Sequence, residues 1–324
     1  MTQPSFSFII PVRNDARRLR RCLATIRACR YPAERVEIIV IDNGSTDDSA
    51  AVARDAGARV LTLPSVRVSE ARNQAALTAG GDVLAFVDAD HEIGPEWLAS
   101  AADTLAASDV IAAGALCHPP RDGTWVQRQY DAFRDHRSGV FETQWLGSGN
   151  LAVKAEAFRN VAGFDTSLET CEDVDLCRRL RRAGGRILND SRMLNVHLGD
   201  PATLGALFWG EMWRGRDNIR ASLRPPFAWR EVPSVAIPVV QLLLWISAGA
   251  GLVFAWWGGW RWTLIALAGV LALSALRAGR MLGRLRPRSL ANAAGAYVVA
   301  FTYDLGRALA LVSRVGHRTR QAKA

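Results

Sequence analysis

An apolar run ends abruptly on two carboxylates in the stretch Leu84-Ala-Phe-Val-Asp88-Ala-Asp90. Such a short run is typical of a strand buried on both faces, and ligands of open parallel sheets bind where these strands end. Because Asp88 and Asp90 are two residues apart, both side chains can leave the backbone on one side and reach a single hard cation. An isolated Asp-x-Asp is also common in solvated turns, so the surrounding sequence has to decide between the two readings.

The chain around this stretch alternates short apolar segments with helical patterns. Leu19, Leu23 and Ile26 fall on one face of a helix, and Gly44 permits a tight turn after the second apolar segment. We expect Ser69 to cap another helix, and Pro95 to start the next one. The alternation predicts an α/β fold with a doubly wound, mostly parallel sheet. The predicted strands are 5–12, 36–41, 59–63, 84–88 and 110–116, and the helices that cover the sheet include 17–29 and 70–79.

The charge of the chain is distributed unevenly. Residues 1–213 hold 24 Lys and Arg against 28 Asp and Glu, whereas residues 214–324 hold 16 against 3. A nucleic-acid-binding protein should carry its basic residues as a patch with stacking aromatics. Here they flank long apolar runs instead, so we expect a membrane with anionic lipids as the partner and no nucleic acid.

Two apolar segments predict membrane-spanning helices. Pro233–Trp257 is uncharged and, at about 1.5 Å per residue, can cross a hydrocarbon layer of about 30 Å. A second span, from Thr263 toward Leu282, follows a tryptophan-rich turn, and Phe227 and Trp229 resemble interface anchors. Leu290–Val315 carries its charges, Asp304, Arg307 and Arg314, on one side of a helix, with Arg318 just beyond. This pattern favours an amphipathic helix in the inner leaflet over a third crossing.

Cysteine usage and the N-terminus indicate the compartment. The five cysteines are an odd number without Cys-x-x-Cys spacing, so they suggest neither a zinc site nor a disulfide framework. The N-terminus lacks a signal-peptide pattern. We therefore expect a multi-pass protein of the cell (inner) membrane with a cytoplasmic catalytic domain. The predicted divisions are a catalytic domain (1–200), a membrane-proximal helix and linker (201–230), two transmembrane helices (231–288), and an interfacial helix with a basic tail (289–324).

Six short motifs occur in order between Ser5 and about Arg216, each weak alone and strong as a set. With them the chain resembles the family 2 glycosyltransferases, which have the GT-A fold. The motifs are Pro11-Val-Arg-Asn14, Ile41-Asp42-Asn-Gly-Ser45, Ala71-Arg72-Asn73, Asp88-Ala-Asp90, Gly147-Ser-Gly-Asn150 and Glu172-Asp173.

The resemblance implies an inverting enzyme that uses a nucleotide-diphospho-sugar and a divalent cation, Mn²⁺ or Mg²⁺. It implies that Pro11, Arg13 and Asp42 hold the nucleotide and that Arg72 lies near its base or phosphates. Asp90 would bind the metal, while Asp88 would share it or hold a ribose hydroxyl. His197 lies where several GT-A enzymes have a further metal ligand, although single histidines are more often structural.

The acceptor hydroxyl is a poor nucleophile and needs a carboxylate base across the sugar. We assign Asp173 to this role, with Glu172 as the near alternative; an acidic first turn is also ordinary helix capping. Candidate acceptor contacts are Ser148 and Asn150. Trp209 and Trp213 are two more, in the region where polysaccharide synthases of this family carry Gln-x-x-Arg-Trp.

The absence of Gln-x-x-Arg-Trp favours the transfer of one sugar per encounter over processive polymerisation. A membrane tether suits a lipid-linked acceptor, with a polyprenyl-linked compound expected first and a glycolipid second. Two alternatives stay open at this point. One is a nucleotidyltransferase, although Pro11–Arg17 offers no glycine-rich phosphate loop. The other is a catalytically inactive nucleotide-sugar-binding membrane scaffold.

Overall fold

The computed structural model describes residues 3–224, 229 and 232–313. It divides into two compact units. The first comprises Met1–Pro120 and His136–Gly199, and the second comprises Arg121–Asp135 and Asp200–Ala324. The main division therefore lies beside the predicted boundary at residue 200, whereas the assignment of 121–135 to the second unit was not predicted. No hydrophobic period sets that segment apart from its neighbours.

The first unit is built on a mixed eight-stranded sheet within the described residues. The strand order is β3-β2-β1-β4-β8-β6-β9-β7, and a separate two-stranded sheet pairs β10 with β5. The strands are β1 (Phe6–Val12), β2 (Val36–Asp42), β3 (Arg59–Thr62), β4 (Val83–Val87), β5 (His91–Ile93), β6 (Val110–Gly114), β7 (Val140–Glu142), β8 (Asn150–Lys154), β9 (Arg186–Asp190) and β10 (Asn195–His197). The helices are α1 (Ala16–Arg27), α2 (Ser49–Asp55), α3 (Val68–Thr78), α4 (Trp97–Thr104), α6 (Ala155–Asn160) and α7 (Glu172–Arg182), with α5 in the second unit.

The predicted doubly wound α/β fold is confirmed. Strands β3, β2, β1 and β4 run parallel, β8 inserts antiparallel between β4 and β6, and every residue of β4 is buried. Along β1, Phe6, Phe8 and Ile10 enter one hydrophobic core and Ile9 enters another. This two-residue alternation means that the sheet is covered on both faces, as expected for such a fold.

Some predicted boundaries differ from the structure. Helix α3 begins at Val68 after Arg67, so Ser69 lies inside its first turn and does not cap it. Helix α4 begins at Trp97 after Glu96, so Pro95 lies before the helix. The predicted membrane-proximal helix within 201–230 is two helices, α8 (Leu204–Arg214) and α9 (Asn218–Ser222). Helix ends depend on local backbone geometry that propensity alone does not determine.

The second unit also contains α5 (Trp125–Asp131), α10 (Val232–Val253), α11 (Trp260–Leu282) and α12 (Leu290–Leu309). Helices α10 and α11 have 22 and 23 residues with mean hydropathies of 1.9 and 1.6, so each is long and apolar enough to cross a membrane. The predicted anchor Phe227 and the basic residues from Arg314 onward lie outside the described residues. The predicted anchor Trp229 is 84% exposed.

The polar side of α12 faces other helices of the second unit. Arg277 Nε of α11 donates to Asp304 Oδ1 at 2.7 Å, and Ser274 Oγ donates to Asp304 Oδ2 at 3.0 Å. Arg307 Nε donates to Glu211 Oε2 of α8 at 2.7 Å. Asp304 and Arg307, two of the charged residues that predicted an interfacial helix, therefore form ion pairs inside the second unit.

Candidate active site

Arg72 lies at the centre of the site, between two carboxylates. Its Nη2 donates to Asp88 Oδ1 at 2.6 Å, and its Nη1 donates to Glu172 Oε1 at 3.0 Å. Its side chain is only 3% exposed. Burial lowers the pKa of Arg72, but the charges of Asp88 and Glu172 outweigh this effect and raise the pKa above its usual value. The guanidinium group therefore stays positively charged. Arg72 therefore links the end of β4 to the start of α7, and its predicted contact with the nucleotide stays a prediction.

Asp90 lies between two histidines. Strands β5 and β10 pair antiparallel with His91 opposite His197, and this register brings the two rings to a centroid distance of 4.4 Å. Asp90 Oδ2 is 3.4 Å from His197 Nε2, and Asp90 Oδ1 is 3.7 Å from His91 Nε2. Asp88 is not part of this cluster, and its Oδ1 is paired with Arg72. His91 was not predicted from the sequence, where its only signal is its position directly after Asp90.

The backbone around Asp90 leaves no room for a side chain at Gly199. A Cβ there would lie 1.9 Å from Asp90 Oδ2. The backbone N–H of Leu198 donates to the Asp90 carbonyl at 2.8 Å, which fixes this close approach. Burial raises the pKa of Asp90, but His197, His91 and Arg18 outweigh it and hold the pKa below its usual range. The carboxylate therefore stays ionised.

Glu172 and Asp173 occupy the first turn of α7. Burial and the charge of Asp173 raise the pKa of Glu172. Burial also raises the pKa of Asp173. The hydrogen bond from the Val174 N–H and the charge of Arg72 lower this pKa, but they do not cancel the effect of burial. The two residues differ in their partners: Glu172 is paired with Arg72, while the Asp173 carboxylate accepts hydrogen bonds from the backbones of Val174 and Ser148.

The loop Gly147–Asn150 contacts both groups of carboxylates. A Cβ at Gly147 would lie 3.8 Å from Asp173 Oδ2. A Cβ at Gly149 would lie 2.5 Å from His91 Cε1 and 3.1 Å from Asp88 Oδ2. Asp173 on one side and the Asp90 cluster on the other are therefore joined by four residues of one loop.

The burial of Asn150 argues against its predicted contact with the acceptor. The residue is 1% exposed, and its side chain accepts from Trp97 Nε1 and donates to the carbonyls of Ala115 and Met193. Asn150 therefore holds the loop in place. Ser148 is also buried, at 5% exposure, and its backbone supports Asp173. The remaining acceptor candidates, Trp209 and Trp213, are half-buried on α8 in the second unit.

The predicted nucleotide residues lie at the carboxyl ends of β1 and β2. Asp42 Oδ1 accepts the Ser45 N–H at 2.9 Å. Asn14, at φ 53°, links the two loops, since its N–H donates to Ser45 Oγ and its Oδ1 accepts the Thr46 N–H. Pro11 is half-buried, and Arg13 Nε is buried without a hydrogen bond within the described residues. The two loops thus form one edge, as expected at the end of a parallel sheet.

Comparison with known proteins agrees with this geometry. Residues 7–160 match the family described as Glycosyl transferase family 2. This segment, 154 of the 324 residues, carries the sequence pattern of that family. It is 26% identical to Glycosyltransferase AglE of Haloferax volcanii over 76% of this chain and 82% of that protein. It is also 26% identical to Succinoglycan biosynthesis protein ExoA of Rhizobium meliloti over 94% of each chain.

The fold agrees with a solved glycosyltransferase structure. The mannosyltransferase PcManGT of Pyrobaculum calidifontis, determined in complex with GDP-Man and Mn²⁺, superposes with a TM-score of 0.60 at 20% identity. The match covers 94% of this chain and 88% of that one. This likeness shows the GT-A fold, and the curated relatives support glycosyltransferase activity.

Proposed function

We propose that this glycosyltransferase moves one sugar from a nucleotide-diphospho-sugar to a lipid-linked acceptor, with inversion at the anomeric carbon. The observation that carries the proposal is the loop Gly147–Asn150. The Ser148 backbone hydrogen-bonds to Asp173, and the Gly149 backbone lies so close to the other group that a Cβ there would be 2.5 Å from His91 Cε1 and 3.1 Å from Asp88 Oδ2. A base and a cation site joined by one short loop suit a single in-line displacement. An α-linked donor would then give a β-linked product.

Asp90 and His197 are the proposed ligands of Mn²⁺ or Mg²⁺. Two ligand atoms about 2.1 Å from one cation lie at most about 4.2 Å apart, and the 3.4 Å between Asp90 Oδ2 and His197 Nε2 meets this limit. When bound, the metal supplies positive charge that stabilises the departing diphosphate. Pro11, Arg13 and Asp42 would hold the nucleotide, and Asp88 keeps an oxygen available for a ribose hydroxyl or the metal.

Asp173 is the proposed base, in preference to Glu172. The ion pair with buried Arg72 occupies the Glu172 carboxylate and opposes proton uptake by it. The pKa of both carboxyl groups is raised, that of Glu172 to about 7, so the preference rests on their partners. Within the described residues the Asp173 carboxylate accepts hydrogen bonds from backbone N–H groups and has no direct ion pair. Arg72 is then a positioning residue that orients Asp88 and Glu172.

The acceptor assignment is based on the apolar helices α10 and α11. A protein held at a membrane meets a lipid-linked acceptor at a raised effective concentration. The excess of Lys and Arg after residue 213 favours a cytoplasmic position for the polar residues that flank these two proposed crossings. The catalytic unit would then lie on the cytoplasmic face. The relative ExoA, named for succinoglycan biosynthesis, is compatible with a role in envelope polysaccharide synthesis.

The test is transfer by the purified full chain in lipid nanodiscs. A panel of nucleotide-sugars is first screened for thermal stabilisation with and without Mn²⁺, and binders are then incubated with polyprenyl phosphate or with a glycolipid. We expect a product of inverted configuration by NMR with the polyprenyl acceptor. Retained configuration would exclude the mechanism, transfer only to the glycolipid would exclude the polyprenyl acceptor, and donor binding without hydrolysis or transfer would indicate a scaffold.

A further inference from the structure

His91 faces the Asp90 cluster with one nitrogen. Its Nε2 is 3.7 Å from Asp90 Oδ1, and its side chain is 4% exposed. A distance of 3.7 Å is too long for an N–H···O hydrogen bond, whose usual range is about 2.7–3.2 Å. The same distance suits two ligands of one cation, which lie at most about 4.2 Å apart. The spacing therefore matches a pair of ligands better than a donor and an acceptor.

The other nitrogen of His91 faces a thiol. Nδ1 lies 3.8 Å from Cys117 Sγ, three residues beyond the end of β6. If Nδ1 carries the ring proton, it donates to the sulfur, and Nε2 keeps the lone pair that a metal requires. Histidine ligands of metals generally have such a partner on the second nitrogen, and this partner fixes the tautomer and the ring orientation.

The His91 ring is also held from its sides. The Gly149 backbone approaches so closely that a Cβ there would lie 2.5 Å from Cε1, and the His197 ring lies on another side at 4.4 Å. The ligand atoms of Asp90, His91 and His197 all lie within 4.8 Å of one another, so no pair needs to approach by more than about 0.6 Å to meet the 4.2 Å limit. The three groups are thus preorganised around one point by the β5–β10 pair and the Gly147–Asn150 loop.

We propose that His91 is a further metal ligand, that Cys117 is the residue that positions it, and that the site therefore prefers first-row transition metals to Mg²⁺. The proposal rests on the metal dependence in the proposed function and deepens it. Two imidazole nitrogens and one carboxylate form a borderline ligand set, whereas Mg²⁺ favours oxygen ligands and retains its water. The expected order of affinity is Co²⁺ above Mn²⁺ above Mg²⁺.

The deciding measurement needs no substitution. Pulsed EPR of Mn²⁺ bound to the purified full chain counts the coupled imidazole nitrogens. We expect two, one from His91 and one from His197. A single coupled nitrogen, or equal affinity for Mn²⁺ and Mg²⁺ in competition titrations, would overturn the proposal.

Substitutions then assign the roles. His91→Gln should remove one nitrogen coupling and narrow the preference for Mn²⁺ over Mg²⁺. Cys117→Ala should weaken Mn²⁺ binding about 10–100-fold, as loss of an outer partner of a ligand commonly does. Cys117→Ser, whose hydroxyl can accept from Nδ1–H, should retain most of the affinity. Unchanged affinity in Cys117→Ala, or an equal loss in Cys117→Ser, would refute the positioning role.

The matched control is Cys29→Ala. Cys29 is a partly buried cysteine of the same unit, and its thiol donates hydrogen bonds to the carbonyls of Thr25 and Gly94. It should leave Mn²⁺ affinity and nitrogen couplings unchanged. The metal dependence in the proposed function has a separate test. It is refuted if the wild-type protein transfers sugar equally well with and without a chelator. Metal-dependent transfer with one coupled nitrogen would refute only the inference about His91 and Cys117.

Discussion

The two units each contain a buried three-residue ion cluster, and the clusters are opposite in sign. In the first unit, called the catalytic unit below, one cation, Arg72, joins the carboxylates of Asp88 and Glu172. In the second unit, called the helical unit below, one anion, Glu211, joins two arginines. Its Oε1 lies 2.7 Å from Arg214 Nη1, and its Oε2 lies 2.7 Å from Arg307 Nε. Exposure differs as well, since the Glu211 side chain is 0% exposed and the Asp88 side chain is 36% exposed.

This difference separates a cluster that can meet a ligand from one that holds helices together. Around Glu211 the charges are used within the unit, where α8 and α12 meet and Tyr130 of α5 donates a further hydrogen bond at 3.1 Å. Burial raises the pKa of Glu211, but Arg307 and Arg214 outweigh it and hold the pKa low. Around Arg72 the Asp88 carboxylate stays partly exposed, so it can meet a ligand.

The largest expected effect is that of Asp173→Asn. Loss of a general base should lower the transfer rate about 100- to 10,000-fold. Donor binding, measured by thermal stabilisation, should persist because the proposed base acts on the acceptor and does not hold the donor. Glu172→Gln is the control and should lose less activity. If Glu172→Gln abolished transfer and Asp173→Asn did not, the two roles would be exchanged.

Removing the central charge of each cluster compares them directly. Arg72→Met leaves the buried Glu172 and the 36% exposed Asp88 without their cation, whereas Glu211→Gln leaves two arginines around a fully buried side chain. Glu211→Gln should lower the free energy of unfolding by about 3–5 kcal/mol, and Arg72→Met should lower it by less because water screens Asp88. Denaturant unfolding of the full chain measures this loss. Only Arg72→Met should also change Mn²⁺ affinity and transfer per folded molecule. Equal changes in Mn²⁺ affinity for both variants would contradict the separation of roles.

A smaller effect is expected from Gly199→Ala. The new Cβ would collide with the Asp90 carboxylate, so Mn²⁺ affinity should fall by about tenfold or more, as for other disturbances of a ligand's surroundings. Isothermal titration measures the change. Gly80→Ala is the control, since a Cβ there meets nothing within 4 Å. Equal affinities in the two variants would show that Asp90 does not bind the metal.

The smallest effect concerns pH. A base must be ionised, and the pKa of Asp173 is raised, so the acid limb of kcat/KM should lie above the ordinary range of Asp, which is near about 3.9. The charge of Arg72 opposes this shift. In Arg72→Met the limb should therefore move to still higher pH. A limb that stayed in place would show that Arg72 does not act on the base.

The sequence predicted the parts of the fold that depend on periodicity. The β1, β2 and β4 strands, the carboxylates after β4 and the two long apolar helices all follow from patterns within one segment. Arg72, His91 and Asn150 show what such patterns cannot supply. The partners of Arg72 are 16 and 100 residues away, and His91 meets His197 only because β5 pairs with β10. The hydrogen-bond partners of Asn150 likewise come from three separate segments.

The excursion of residues 121–135 into the second unit has a practical consequence for dissecting the protein. The chain leaves the catalytic unit after Pro120 and re-enters it at His136. A fragment that stops at Gly199 would carry α5 without Glu211 and Asn292, to which Tyr130 and Gln129 donate hydrogen bonds. Val126 would also lose the apolar neighbours it shares with Leu207 and Val299. A soluble fragment for crystallisation should therefore replace 121–135 with a short linker as well as omit the C-terminal helices.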